Sequence, residues 1–154
     1  MKQTVWGGVR RILSFPRIVY NRVRLHQLSL KLSWTIPINI VGPGCCIVHE
    51  GPVIINPKAS IGSYCRIMSS VTIGEKERGG KAPIIGDYVF IGDGAKILGD
   101  VAVPSLTCIG ANAVVVSNID SKGTYAGIPA KKVSEKDSRL QYNSQIVGYI
   151  SENE

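Results

Sequence analysis

The stretch IGDYVFIGDGAKILG, residues 85–99, decides the fold, because an isoleucine recurs at every sixth position in it. The same step continues in both directions, and each of these positions holds Ile or Val: Ile55, Ile61, Ile67, Ile73, Ile85, Ile91, Ile97, Val103, Ile109 and Val115. An α-helix repeats every 3.6 residues and a half-buried strand every two, so neither explains a period of six. The repeat predicts a mainly β fold, in which very short strands coil and stack their aliphatic side chains in one interior.

Two interruptions of the repeat mark its irregular places. The step at Gly79 falls in the polar stretch Glu75–Lys81, which predicts a loop over residues 75–83. The phase also extends back through Val41 and Ile47, with two additional residues around His49–Pro52. We interpret that additional length as a bulge, a place where side chains can be re-aimed. The predicted domains are an N-terminal arm (1–34), a β-helix domain (35–133) and a polar C-terminal tail (134–154).

The arm is basic and has helical periodicity. Apolar residues over 5–13 fall at helical spacing, Pro16 ends this first predicted helix, and a second helix is predicted over 18–32. The chain has a net charge of +7, and residues 1–49 contain no Asp or Glu. Their basic residues are Lys2, Arg10, Arg11, Arg17, Arg22, Arg24 and Lys31. Such asymmetry suits a membrane surface, a polyanionic substrate or simple solubility. No nucleic-acid-binding motif accompanies it, so we expect no nucleic acid partner.

Length and composition set the outer limits. The 154 residues predict one domain, and no apolar run approaches the roughly 18 residues that would span a bilayer. No signal peptide is evident, so we expect a cytoplasmic protein, with membrane contact through the arm as an alternative. The four cysteines contain no C-x-x-C pair, and we expect reduced thiols and no metal. Their positions are Cys45, Cys46, Cys65 and Cys108.

Four motifs carry a family resemblance: IMSSVTIG (67–74), KAP (81–83), the opening stretch (85–99) and AGIPAK (126–131). The region 41–133 resembles the hexapeptide-repeat acyltransferases, most closely their serine acetyltransferase-like branch. This resemblance implies a left-handed parallel β-helix of triangular section with 18 residues per coil. It also implies acetyl-CoA as the acetyl donor, and a homotrimer with active sites between subunits.

The resemblance places the catalytic histidine of the family at His49. An imidazole is well suited to remove a proton from a hydroxyl near neutral pH. The chain has one other histidine, His26, which we expect to be structural or solvated. The coenzyme groove of the family corresponds here to Gly92, Asp93, Gly110 and Ala111, and a basic position that contacts the coenzyme phosphates corresponds to Lys131.

Three departures bear on the acceptor. Val48 and Ala82 replace an Asp and a His of the serine enzymes, and Trp34 stands where their histidine-pairing Asp falls. We therefore expect a sugar hydroxyl as acceptor, in bacterial capsular, exopolysaccharide or lipopolysaccharide synthesis. Serine O-acetylation and a non-catalytic β-helix binding module remain the alternatives. A γ-type carbonic anhydrase needs three histidines for zinc, and the sequence contains two. We also expect no sugar nucleotidyltransferase, because such an enzyme carries the repeat beside a separate nucleotide-binding domain, for which 154 residues leave no length.

Overall fold

The computed structural model of the chain describes residues 6–142, and their side chains from residue 16 onward. One α-helix, α1 (Trp6–Leu32), precedes a series of strands of two to four residues, and a 3₁₀ turn (Ser138–Gln141) follows them. The strands are β1 (Trp34–Thr35), β2 (Cys46–Ile47), β3 (Val53–Ile55), β4 (Ser60–Ile61), β5 (Arg66–Ile67), β6 (Thr72–Gly74), β7 (Ile84–Ile85), β8 (Phe90–Ile91), β9 (Lys96–Leu98), β10 (Ala102–Val103), β11 (Cys108–Ile109), β12 (Val114–Val115), β13 (Thr124–Ala126) and β14 (Lys131–Ser134).

The strands form three sheets that the chain visits in rotation. Sheet A has the order β1-β3-β6-β9-β12, sheet B the order β4-β7-β10, and sheet C the order β2-β5-β8-β11-β13-β14. Every pairing is parallel except that of β13 with β14. Strands too short to stand alone are thus paired with the coils above and below, which satisfies their backbone groups. The predicted mainly β architecture with parallel sheets is confirmed.

The six-residue repeat forms the core. All ten aliphatic positions of the repeat are at most 3 % exposed. The small or aliphatic residues four positions later are also buried: Ala59, Cys65, Val71, Val89, Ala95, Val101, Thr107, Ala113 and Ile119. Burial of one Ile or Val side chain stabilises the fold by about 1.5–3 kcal/mol. Stacked over several coils, this interior fixes the position of every corner of the domain.

The strand register locates both interruptions. Where no loop intervenes, the commonest pairing joins residues eighteen apart, as Ile91 pairs with Ile109. Ile47 pairs with Ile67, twenty residues apart, whereas the next pair, Ile55 with Ile73, returns to eighteen. The two additional residues therefore lie in the bulge predicted before Ile55. The six additional residues of the polar loop lie between β6 and β7.

The arm differs from its prediction. A single helix continues through Pro16, where the sequence predicted a break between two helices. A proline removes one intrahelical hydrogen bond and can kink a helix without ending it. The predicted amphipathic face over 5–13 lies outside the described side chains. From residue 16 onward no part of α1 is long and apolar enough to cross a membrane.

Helix α1 makes most of its contacts with β1 and leaves many apolar side chains in solvent. Seven large ones are 43–68 % exposed: Ile18, Val19, Tyr20, Val23, Leu25, Leu28 and Leu30. At the other end of the chain, pairing continues into β14, and residues 138–142 pack on sheet C. Residues 143–154 of the predicted tail lie outside the described part.

Candidate functional site

His49 lies in the bulge, in the turn that follows β2. Its side chain is exposed, as is that of Glu50. Before it, the Val48 N–H donates to the carbonyl of Ile67 (N···O 3.0 Å). After it, the indole Nε1 of Trp34 donates to the carbonyl of Gly51 (2.9 Å). The imidazole is therefore carried on a short excursion of the chain that is anchored at both ends.

Gly51 explains how the bulge rejoins the coil. Its φ of +138° is a backbone conformation that side chains disfavour. A Cβ atom at this position would also lie 3.0 Å from the Cβ of Ser69 on the next coil. Glycine therefore allows the bulge to close tightly over its neighbour while the two additional residues project outward.

The residues after each strand of sheet C form one row, which we call the exit edge. It contains residues 48–51 after β2, 68–69 after β5, 92–93 after β8 and 110–111 after β11. Asp93 in this row accepts hydrogen bonds from the Ser69 amide (3.0 Å) and hydroxyl (2.7 Å). Its backbone carbonyl accepts from the Asn112 N–H (2.7 Å). The Asp93 side chain therefore ties two coils together.

The two predicted groove glycines lie close against the next coil. A Cβ on Gly92 would lie 2.7 Å from the backbone nitrogen of Ala111, and one on Gly110 would lie 3.2 Å from the Cβ of Ala126. Ala111 is exposed beside them. Lys131, also exposed, pairs with Ala126 across β13 and β14. All the predicted coenzyme-binding positions thus lie along the edge that begins at the His49 bulge.

This edge is long. The bulge follows β2 and Lys131 begins β14, at the other end of the six-stranded sheet C; the five inter-strand spacings between them correspond to roughly 24 Å. Small residues border it at 92 and 110–111, with a lysine at its far end. Such a surface admits an extended ligand with its reactive end at the imidazole and its anionic end near the ammonium group.

A pocket of about 660 Å³ lies between the end of α1 and the bulge. Trp34 forms one wall, and Pro52 of the bulge forms another. The lining contains no Asp, Glu, Lys or Arg; its residues are His26, Ser29, Leu30, Ser33, Trp34, Thr35, Ile36, Pro37, Pro52 and Ile54. His26 borders this pocket and is exposed, and its predicted structural or solvated role stays a prediction.

The link from Trp34 to the bulge was not predicted. Sequence comparison within the repeat gives no reason to connect residues 34 and 51, which are seventeen positions apart and of unrelated type. The pairing of Trp34 with Val53 in sheet A brings the indole beside the bulge. Only the coil geometry reveals this contact. The described residues hold no group of three or more His, Cys, Asp or Glu side chains suited to a metal ion.

Comparison with known proteins places this edge in context. No family model matches the chain. It is 39 % identical over 102 residues to the serine acetyltransferase of Staphylococcus aureus strain Mu50, covering 65 % of this chain and 48 % of that one. The crystal structure of Neisseria gonorrhoeae serine acetyltransferase superposes with a TM-score of 0.66 at 31 % identity, covering 82 % of this chain and 52 % of that one. The crystal structure of Brucella abortus serine acetyltransferase in complex with coenzyme A superposes with a TM-score of 0.60 at 31 % sequence identity. The matched region covers 62 % of this chain and 39 % of that one.

The described region thus resembles the serine acetyltransferases in both sequence and fold. The predicted resemblance to this branch of the hexapeptide-repeat proteins is confirmed. The chain spans about half the length of the curated serine acetyltransferases that it matches.

The structure shows where the three residues that depart from the serine acetyltransferase pattern lie. Val48 is half-buried beside β2. Ala82 is 6 % exposed and belongs to the core, so its side chain is not presented to a substrate. Trp34 packs against the core and reaches the bulge through its indole nitrogen. Neither position 48 nor position 82 therefore offers a charged side chain to an acceptor.

Proposed function

We propose that this chain is an acetyl-CoA-dependent O-acetyltransferase on a left-handed β-helix, with His49 as its general base. The observation that carries this proposal is the anchored bulge, which presents an imidazole at the start of the edge formed by Gly92, Gly110 and Lys131. The handedness and the donor are supported by the solved serine acetyltransferases, one of which contains coenzyme A.

The chemistry follows from the imidazole. His49 accepts the hydroxyl proton of the acceptor while the acceptor oxygen bonds to the acetyl carbonyl carbon. The resulting oxyanion collapses, the carbon–sulfur bond breaks, and the coenzyme A thiolate takes the proton from the imidazolium. A positioned base of this kind contributes about 10²–10⁴-fold to the rate. Alignment of donor and acceptor along the exit edge supplies a further contribution.

For the acceptor, the comparisons support serine better than the sugar predicted from the sequence. The similar structures include a serine acetyltransferase in complex with serine and another in complex with cysteine. We therefore propose serine as the first acceptor to test. A sugar hydroxyl is the second candidate, and it is supported by the uncharged lining of the pocket and by Val48 and Ala82. A site without charged partners binds a zwitterion poorly.

One assay tests this proposal and separates the acceptors. Acetyl transfer from labelled acetyl-CoA is measured with serine, simple sugars and nucleotide sugars. We expect turnover with at least one of them, and the ratio of kcat/KM for serine to that for the best sugar assigns the acceptor. Thermal protection by coenzyme A is measured in parallel. Absence of both turnover and protection would overturn the enzyme proposal in favour of a binding module.

The assembly is also a proposal. Family resemblance supports a homotrimer in which neighbouring chains share each site, and an exit edge open to solvent in the single chain is compatible with it. Light scattering at micromolar concentration should return about three times the mass of the 16.6 kDa chain. A stable monomer would contradict this.

We propose that the protein is cytoplasmic and that its arm binds anionic membrane surfaces. Arg17, Arg24 and Lys31 lie seven residues apart and therefore on one side of α1, whose apolar side chains are exposed. Vesicle sedimentation should recover more protein with anionic than with neutral lipid. Replacing these three cations by Gln should remove the difference, whereas the same change at Lys76 and Arg78 of the polar loop and Lys136 of the tail should not. Equal recovery by all lipids would remove the membrane proposal.

A further inference from the structure

The indole of Trp34 is the side chain that connects the arm to the bulge. Trp34 begins β1, the first strand after α1, and pairs with Val53 just beyond the bulge. It is half-buried against the core, and its Nε1 donates to the carbonyl of Gly51 at 2.9 Å. The ring thus has a fixed position on the core and directs its only donor at the backbone of the bulge.

The bulge needs such an anchor because two of its residues have no partner in the neighbouring coil. The hydrogen bond of Val48 to Ile67 holds its first end. Its other end turns at Gly51, whose φ of +138° orients the chain back toward β3. No side chain of the described residues hydrogen-bonds the His49 ring, so the ring's position depends on this backbone.

We infer that Trp34 is a positioning residue for His49, acting through the carbonyl of Gly51. The expected change in kcat rests on the proposed function, whereas the contact between Trp34 and Gly51 is observed in the structure. Loss of one hydrogen bond to a carbonyl that holds a general base should lower kcat about 3- to 10-fold. The KM for acetyl-CoA should be unchanged, because the proposed coenzyme positions lie further along the exit edge and do not contact Trp34.

The test compares Trp34→Phe with Tyr142→Phe. The first keeps an aromatic ring and removes the indole donor. The second removes a comparable donor, the Tyr142 hydroxyl, which bonds the carbonyl of Tyr64 (2.8 Å) at the opposite edge of sheet C. We expect similar losses of stability for both variants, but a lower kcat, at unchanged KM for acetyl-CoA, for Trp34→Phe alone.

A second measurement is independent of activity. The chain has two histidines, so ¹H–¹³C spectra of the imidazole rings resolve His49 from His26. Trp34→Phe should broaden or shift the His49 signal, and Tyr142→Phe should leave it in place. The inference is overturned if both variants give the wild-type His49 signal and the same kcat. If His49→Ala proves fully active, the proposed function fails, and the spectra still decide whether Trp34 positions the ring.

Discussion

The two edges of sheet C are built from the same coils, but one is covered by the end of the described chain and the other is exposed. The residues before its strands form the entry edge, in which one position of every coil has a left-handed backbone: Gly44, Tyr64, Tyr88 and Leu106. The residues after its strands form the exit edge, which begins at the His49 bulge. The end of the described chain covers the first edge; the second carries the bulge and leaves His49, Asp93 and Ala111 exposed.

The entry edge is covered by the end of the described chain. Ser138 donates its N–H to the carbonyl of Leu106 (3.0 Å) and its hydroxyl to that of Tyr88. The Tyr142 hydroxyl bonds the Tyr64 carbonyl, and the rings of Tyr64 and Tyr88 stack with centroids 5.1 Å apart. A left-handed backbone costs a non-glycine residue about 1–2 kcal/mol, and these contacts offset part of that cost. Polar groups used internally leave little for a ligand, whereas the exit edge leaves an imidazole free.

The largest expected effect therefore belongs to the exit edge. His49→Ala should lower kcat by about 10²–10⁴-fold, because the proposed general base is removed. Coenzyme A binding and the mass in solution should not change, since the exposed ring packs against no core residue. Steady-state kinetics, thermal shift with coenzyme A and light scattering measure the three properties.

His26→Ala is the matched control, because it removes the other imidazole of the chain. Its kcat should stay close to that of the wild type, and its KM for the acceptor reports whether the pocket that His26 borders is used. Retention of most activity by His49→Ala with every acceptor would remove the functional contrast between the edges.

Both edges are held in place by the same buried core. Substitutions of two adjacent isoleucines, one buried and one exposed, test this. Ile85 is 2 % exposed and Ile84 is 61 % exposed. Ile85→Ala should reduce the free energy of unfolding by about 2–5 kcal/mol, since it leaves a cavity between coils. Ile84→Ala should change it by no more than about 0.5 kcal/mol. Denaturant titration of the two variants gives the comparison, and equal losses would contradict the assignment of the inner face.

The repeat made the interior predictable, and irregularity limited the prediction of the site. Ile91 and its equivalents follow a strict period, so their burial and the bulge at His49 could be read from residue counting. The contact of Trp34 with the bulge could not be predicted in this way, because it joins a strand outside the repeat to the backbone carbonyl of Gly51. The cover over Tyr64 and Tyr88 was missed for the same reason: the tail has no period, and its residues meet sheet C only in three dimensions.

A smaller effect is expected at the entry edge. Ser138 is fully buried, and its hydroxyl bonds the carbonyl of Tyr88. Ser138→Ala should lower the free energy of unfolding by about 1–3 kcal/mol, the cost of removing one partner of a buried hydrogen bond. Turnover per folded molecule should be unchanged, because the exit edge is not touched. Ser60→Ala, at an exposed position of β4, is the control, and a kcat loss in Ser138→Ala would show that the edges are coupled.

The smallest effect concerns Asp93, for which the two edges suggest different roles. As part of the exit edge it is a proposed coenzyme contact, yet its carboxylate accepts two hydrogen bonds from Ser69, in the manner of the internal ties of the entry edge. Asp93→Asn keeps one acceptor oxygen and removes the charge, so we expect a loss of about 0.5–1 kcal/mol in the free energy of unfolding at this exposed site.

If the carboxylate serves mainly as a tie, the KM for acetyl-CoA should change less than about twofold. The losses of Asp93→Asn and Ser69→Ala should also be non-additive in the double variant, because both weaken the same contact. A KM raised about tenfold with additive stability losses would instead assign the carboxylate to the coenzyme, and the coenzyme region would then extend one coil further from Lys131 than Gly110.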